Sequence, residues 1–165
     1  MSPTALEQCL DKMRAAGISR AAMDNFAHYW QLCASGATGL IREDTIRPLT
    51  DPPRLDQVEV DDAAARDALQ KTVIIKLNGG LGTSMGLDRA KTLLPVLEGR
   101  TFLDLIVDQV RYARERYDAR LPLLFMNSFR TREDTLAHLE RYPGLAVDGL
   151  PLDFLQNAEP KILAD

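Results

Sequence analysis

The stretch Val73-Ile74-Ile75-Lys76-Leu77-Asn78-Gly79-Gly80-Leu81-Gly82-Thr83-Ser84-Met85-Gly86 decides the fold. Its first five residues are mostly β-branched and apolar, which predicts a buried strand over 73–77. The nine residues that follow them hold four of the chain's ten glycines. Glycine reaches positive φ and has no Cβ to keep a ligand off the main chain. Such a cluster at the carboxyl end of a strand predicts a cup of backbone N–H groups that binds phosphate oxygens. An amide bonded to a charged oxygen contributes on the order of 1.5–3 kcal/mol, so a few of them hold a nucleotide without a basic surface. A plain tight turn needs only one or two glycines.

That economy of charge matters here. The chain has 165 residues, 20 Lys and Arg against 24 Asp and Glu, and a net charge of −4. An acidic balance argues against broad electrostatic binding to nucleic acid or to an anionic membrane. Hydrophobic residues are 45% and charged residues 27%, the mixture of a globular protein. The two cysteines, Cys9 and Cys33, form neither a disulfide framework nor a zinc site and read as buried small hydrophobes. Charges at Glu7, Asp11 and Lys12 interrupt any signal-peptide core, and no stretch is long and apolar enough for a membrane span. These features predict a soluble, cytoplasmic protein.

Outward from the glycine loop, strands alternate with helices. Upstream, Thr4-x-x-Glu7 has the capping-box pattern and Ser19 the pattern of a second cap. Leu6, Leu10 and Met13, then Met23, Phe26, Ala27, Trp30 and Cys33, form packing stripes that end at Gly17 and at Gly36 and Gly39. Residues 41–60, with Pro48, Pro52 and Pro53, read as an irregular connector, and a short helix from Asp62 to about Leu69 precedes the strand. Downstream, Thr101-x-x-Asp104 caps a helix with Leu103, Ile106, Val107, Val110 and Tyr117 inward. A second strand is predicted over 121–126, a helix after Thr131-x-x-Asp134, and a third strand over 152–155. The class is α/β, with right-handed crossovers and a parallel sheet covered on both faces.

Two familiar phosphate loops can be compared with this one. A Walker loop requires lysine directly after its last glycine, but Leu87-Asp88 follow Gly86. A dinucleotide fingerprint, Gly80-x-Gly82-x-x-x-Gly86, fits better, yet Pro95 and Gly99 break the helix it needs. An NADP-type oxidoreductase domain is therefore the alternative. Lys91, nine residues after Gly82, reads as a cation returned over the loop to neutralise phosphate. His28 and His138 read as structural, having no nucleophile or metal partner at usable spacing.

Four segments, KLNGGLGTSMGLDRAKTLLPV, TFLDLIVDQV, LPLLFMNSFRTREDT and FLQNAEPKI, together resemble the eukaryotic-type UTP–glucose-1-phosphate uridylyltransferases. They run from about Val73 to the end of the chain. The resemblance implies a Rossmann-like, GT-A-like nucleotidyltransferase with a parallel or mixed sheet, here incomplete and preceded by a helical extension. Residues 1–70 would be that extension and its connector, and 71–165 the UTP-binding half of the catalytic domain. The implied reaction is UTP plus glucose 1-phosphate giving UDP-glucose plus pyrophosphate, with Mg²⁺, by direct attack of the sugar phosphate on the α-phosphorus. It implies Leu77, Asn78, Gly79, Gly80, Gly82, Lys91, Met126 and Gln156 on UTP, Gly79 and Gly80 also on the sugar-phosphate side, and Lys91 as the catalytic group. A glutamine suits the donor–acceptor edge of uracil.

Two short segments depart from wider relatives. Ser84 stands where sugar nucleotidyltransferases generally carry arginine, which also makes a UDP-N-acetylhexosamine pyrophosphorylase less apt. Ala90-Lys91-Thr92 replaces a commoner Pro-Lys-Ser. The family's later Gly-His-Gly-Asp, its metal-binding Asp and its late lysine have no counterpart in this sequence. The chain is accordingly expected to be an N-terminal fragment, binding nucleotide without full turnover. No metal ligand is assigned within it.

Overall fold

In the computed structural model, which describes residues 3–162, the first helix starts earlier than its capping signature implies. Helix α1 spans Pro3–Ala15, so Thr4 lies inside the first turn and does not cap it. Proline at the first helical position loses nothing, because that N–H has no helical acceptor. Helix α2, Arg20–Ala34, does begin as expected: the Ser19 hydroxyl accepts from the Ala22 N–H at 3.3 Å. Gly17 and Gly36, at φ 71° and 80°, end the two helices.

The chain divides into two compact units, one of residues up to Arg54 with those from Asn157 on, the other Leu55–Gln156. In the first, Met13, Phe26 and Trp30 are buried together, with Leu6, Cys9, Leu10 and Met23 packed around them. Cys33 is exposed, contrary to its reading as a buried thiol. It sits in the last turn of α2, past the cluster. Residues 37–61 are exposed throughout and hold only two single 3₁₀ turns, as an irregular connector should.

The second unit carries the sheet. Helix α3 (Asp62–Gln70) is capped by Asp61, which accepts from the Ala64 N–H at 2.7 Å. Strand β1 (Ile74–Asn78) follows. After the glycine loop come the two-stranded antiparallel ribbon of β2 (Pro95–Leu97) and β3 (Arg100–Thr101). Then come helix α4 (Phe102–Tyr117), strand β4 (Leu123–Asn127), helix α5 (Arg132–Leu139) and strand β5 (Asp153–Leu155). The order in the main sheet is β1-β4-β5, all parallel. Ile74 pairs with Leu123 and Asn78 with Asn127, so β1 and β4 end level.

Side chains alternate across a strand, and only one face of this sheet is covered. Leu123 and Phe125 on that face pack against Leu103, Val107 and Val110 of α4 and Leu139 of α5. The opposite face carries Ile75, Leu77 and Phe154 exposed, with Leu124 and Met126 half-buried. The expectation of cover on both faces thus fails for the described residues. α3 supplies no cover there, since it packs on α4.

Candidate functional site

The glycine loop is closed at its base by two backbone bonds. The Gly82 N–H donates to the Arg89 carbonyl at 3.1 Å and the Lys91 N–H to the Gly80 carbonyl at 3.0 Å, around an antiparallel Leu81–Ala90 bridge. This pairing returns the chain to the end of β1 and places Lys91 opposite Gly80. The tip of the loop is a 3₁₀ turn, Thr83–Met85.

The glycines do not all serve the purpose predicted for them. Only Gly86, at φ 70°, is left-handed. Gly79 and Gly82 both sit in tight surroundings, but only Gly82 is required for space: a Cβ would lie 2.3 Å from the movable Gln156 Oε1 in the first case and 2.7 Å from the Leu87 Cβ in the second. Gly80 faces open space, with nothing within 4 Å of the point where a Cβ would stand. Nor do all the amides form a cup. Those of Gly82, Met85, Gly86 and Leu87 donate to carbonyls within the loop, which holds its shape without a ligand.

A cleft of about 300 Å³ opens beside this closure. Lys76, Leu77, Asn78, Gly80, Lys91 and Thr92 line it, with Phe102 and Ile106 of α4 adding apolar surface. Two lysines and no carboxylate face a space of that kind, so its electrostatics favour an anion although the chain as a whole is acidic. No ion pair to Lys91 is found among the described residues, so its ammonium remains available.

Beneath the cleft lies a buried polar network. Asn78 is 3% exposed. Its Nδ2 donates to the Asn127 Oδ1 and the Thr135 Oγ1, both at 2.8 Å, and its Oδ1 accepts from the Thr92 hydroxyl at 2.6 Å. The Thr131 hydroxyl donates to the Asn78 carbonyl at 2.7 Å. Asn127 passes the network outward by donating to Asp153 at 3.2 Å, which also accepts from Arg132 at 2.7 Å. The Arg132 guanidinium holds the Asp153 carboxyl below its ordinary range, with burial opposing.

The sequence-predicted residues therefore fall into two groups. Leu77, Asn78, Gly80 and Lys91 line one cleft. Gly79 meets Gln156, whose own N–H donates to the Asn127 carbonyl at 2.8 Å and carries the chain past β5. Met126 neighbours Leu77 in register and shares its open face. Gly82 and Met126 are outside the cleft lining. Sequence reasoning missed Lys76, whose signal was a lone charge within an apolar strand run. It also missed Thr92, Asn127 and Thr135, whose common role depends on bonds across as many as 57 residues.

A second polar cluster closes the start of α4. Asp104 accepts from the Thr101 N–H at 2.7 Å and hydroxyl at 2.8 Å, and from His138 and the Tyr142 hydroxyl at 2.6 Å each. His138 is thus bound to a helix-capping carboxylate, as its structural reading expected. Among the described residues no three His, Cys, Asp or Glu come together to hold a metal ion. No helix there is long and apolar enough to cross a membrane.

Comparison with known proteins follows the same residues. The family model described as UTP–glucose-1-phosphate uridylyltransferase matches residues 23–165. A curated relative of that name from Solanum tuberosum is 43% identical over 95 residues, 58% of this chain and 20% of the relative. One from Saccharomyces cerevisiae is 51% identical over 74 residues, 45% of this chain and 15% of the relative. The solved UDP-glucose pyrophosphorylase of Leishmania major aligns with 100% of this chain and 34% of its own, at 40% identity and a TM-score of 0.85. A variant of that enzyme solved in complex with UDP-glucose aligns over 99% of this chain and 34% of its own, again at 0.85. The matched stretch covers 15–20% of the length of these curated relatives and about a third of the solved ones.

Proposed function

The chain belongs to the UTP–glucose-1-phosphate uridylyltransferase family, and from that premise we propose that it forms the UTP-binding part of an enzyme making UDP-glucose and pyrophosphate from UTP and glucose 1-phosphate. The observation that carries the proposal is the return of Lys91 to Gly80 at the rim of the cleft. In this reading the Lys91 ammonium, assisted by Lys76, neutralises phosphate charge, and the Gly80 main chain approaches the phosphates because no Cβ stands in the way. Gln156 and Met126 take the uracil, and Gly79 and Gly80 serve the sugar-phosphate side. Direct displacement at the α-phosphorus needs alignment and charge neutralisation, and no covalent nucleophile. The setting is cytoplasmic.

The residues lining the cleft do not fit a protein-held Mg²⁺, because no carboxylate is among them. Residues 71–165 then supply the nucleotide side. The dinucleotide alternative has no support from family membership.

Titration distinguishes the readings. UTP is expected to bind saturably and to be displaced by UDP-glucose, with NADP without effect. Lys91→Ala is expected to weaken UTP binding about tenfold or more, since a phosphate charge loses its cation in a partly desolvated site. Saturable NADP binding with no uridine preference would overturn the proposal.

A further inference from the structure

We infer that Thr92 is a positioning residue, whose hydroxyl locks the Lys91 turn onto the buried Asn78 network and so sets the lysine over the cleft. The inference rests on the proposed nucleotide reading of that cleft. Lys91 opens a one-turn 3₁₀ segment, Lys91–Leu93, which is too short to hold itself in place. Two bonds tie it to the end of β1 and the loop that leaves it. The Lys91 N–H donates to the Gly80 carbonyl, and the Thr92 hydroxyl donates to the Asn78 Oδ1 at 2.6 Å. The second of these is the more specific. Asn78 can receive it only because its Nδ2 is already aimed inward at Asn127 and Thr135, which fixes the amide plane. Thr135 is fixed in turn by donating to the Thr131 carbonyl at 2.6 Å.

Asn78 is thereby given a different part from the one its place in the motif suggests. Both Nδ2 hydrogens and one lone pair of Oδ1 are engaged within the protein and the residue is 3% exposed, so it orients the turn from below while Lys91 and Gly80 meet the ligand. Asn127 extends the arrangement to the other half of the site, because its carbonyl accepts from the Gln156 N–H. One buried network therefore sets the spacing between the lysine and the glutamine. A serine at position 92 would keep the hydroxyl, whereas a valine would keep the shape and lose the donor.

The test uses the full chain with Thr92→Val, Thr92→Ser and, in case valine packs poorly, Thr92→Ala. Amide hydrogen exchange is read at Lys91, with the Phe125 amide, bonded to the Leu152 carbonyl in the core, as internal control. UTP affinity is measured on the same samples. Thr92→Val is expected to speed exchange at Lys91 about tenfold with Phe125 unchanged, to weaken UTP binding by a similar factor, and to be rescued by Thr92→Ser in both respects. Unchanged exchange at Lys91 in both the valine and alanine variants overturns the inference whatever the nucleotide does. Faster exchange with wild-type UTP affinity also overturns it, because the turn would then not be held for the ligand. Faster exchange in a chain whose wild type takes no UTP overturns the nucleotide reading instead, and leaves the hold on the turn supported.

Discussion

The three glycines nearest the end of β1 differ in what a methyl group would do to them, and this separates shape from binding. At Gly80 a Cβ meets nothing within 4 Å and the backbone is not left-handed. Gly80→Ala should leave the thermal midpoint unchanged or slightly raised, since it narrows the unfolded ensemble, while lowering UTP affinity by placing a methyl in the cleft. At Gly79 the methyl displaces the Gln156 amide. Because that is the free end of a flexible side chain, Gly79→Ala should cost less than about 1 kcal/mol of stability and weaken the preference for UTP over CTP. At Gly82 the obstacle is the Leu87 Cβ, which cannot swing aside. Gly82→Ala should cost about 1–3 kcal/mol by overpacking. Melting curves and paired UTP and CTP titrations check all three. Gly80→Ala proving the most destabilising would show that the loop is not built as described. The glycine cluster was legible in the sequence as a loop leaving a strand, but the division of labour within it was not. Which glycine needs space depends on Gln156 and Leu87, and their positions follow from the folded loop.

Among the elements, α4 carries a pH signature with both an acid and an alkaline limb. Its Thr101–Asp104 capping box was readable from the sequence, because both partners lie within one turn. The further partners His138 and Tyr142 were not, lying 34 and 38 residues away. Burial pushes the Asp104 carboxyl up, but hydrogen bonds from the Thr101 N–H, Tyr142, His138 and the Thr101 hydroxyl together hold it well below the usual carboxylate range. A carboxyl lowered in the folded state contributes stability that is present above its unfolded value, near 4, and lost as pH falls toward the folded one. Burial, with the Asp104 carboxylate, pushes the Tyr142 hydroxyl up to about 12. A hydroxyl so raised contributes stability that is complete below its unfolded value near 10 and lost as pH rises past it. Urea denaturation followed across pH should therefore show a plateau that falls off below about pH 4 and above about pH 10. Asp104→Asn should lower the plateau by about 2 kcal/mol and flatten the acid limb. Tyr142→Phe should flatten the alkaline limb. If neither limb responds to its variant, the cluster contributes nothing to folding.

At the scale of the molecule, pattern reading recovered the α/β class and the three strands of the main sheet, but not the ribbon of β2 and β3. The three strands it found are short, mostly apolar runs, and such runs are local, whereas Arg100–Thr101 carries no such signal. The cover of the sheet was misjudged for a physical reason. An apolar run such as Val73–Ile74–Ile75 looks alike whether one face or two are packed, and only the partners decide. Here α4 and α5 pack on the Phe125 face and leave Ile75 52% exposed. This asymmetry makes a quantitative prediction. Ile75→Thr keeps the β-branching that suits a strand and replaces an ethyl group that water already reaches with a hydroxyl. It should therefore cost within about 1 kcal/mol. Leu103→Ala, at a site 0% exposed in the core against Phe125, should cost about 2–5 kcal/mol, because it loses buried surface and leaves a cavity. Ile75→Thr should also reduce the fluorescence of a bound hydrophobic dye, since it breaks the apolar continuity of Ile75 with Leu77, Leu124 and Met126. Denaturant midpoints at constant slope measure both costs. A loss for Ile75→Thr as large as that for Leu103→Ala would mean that the Ile75 face is packed in solution, and the one-sided sheet would then be wrong.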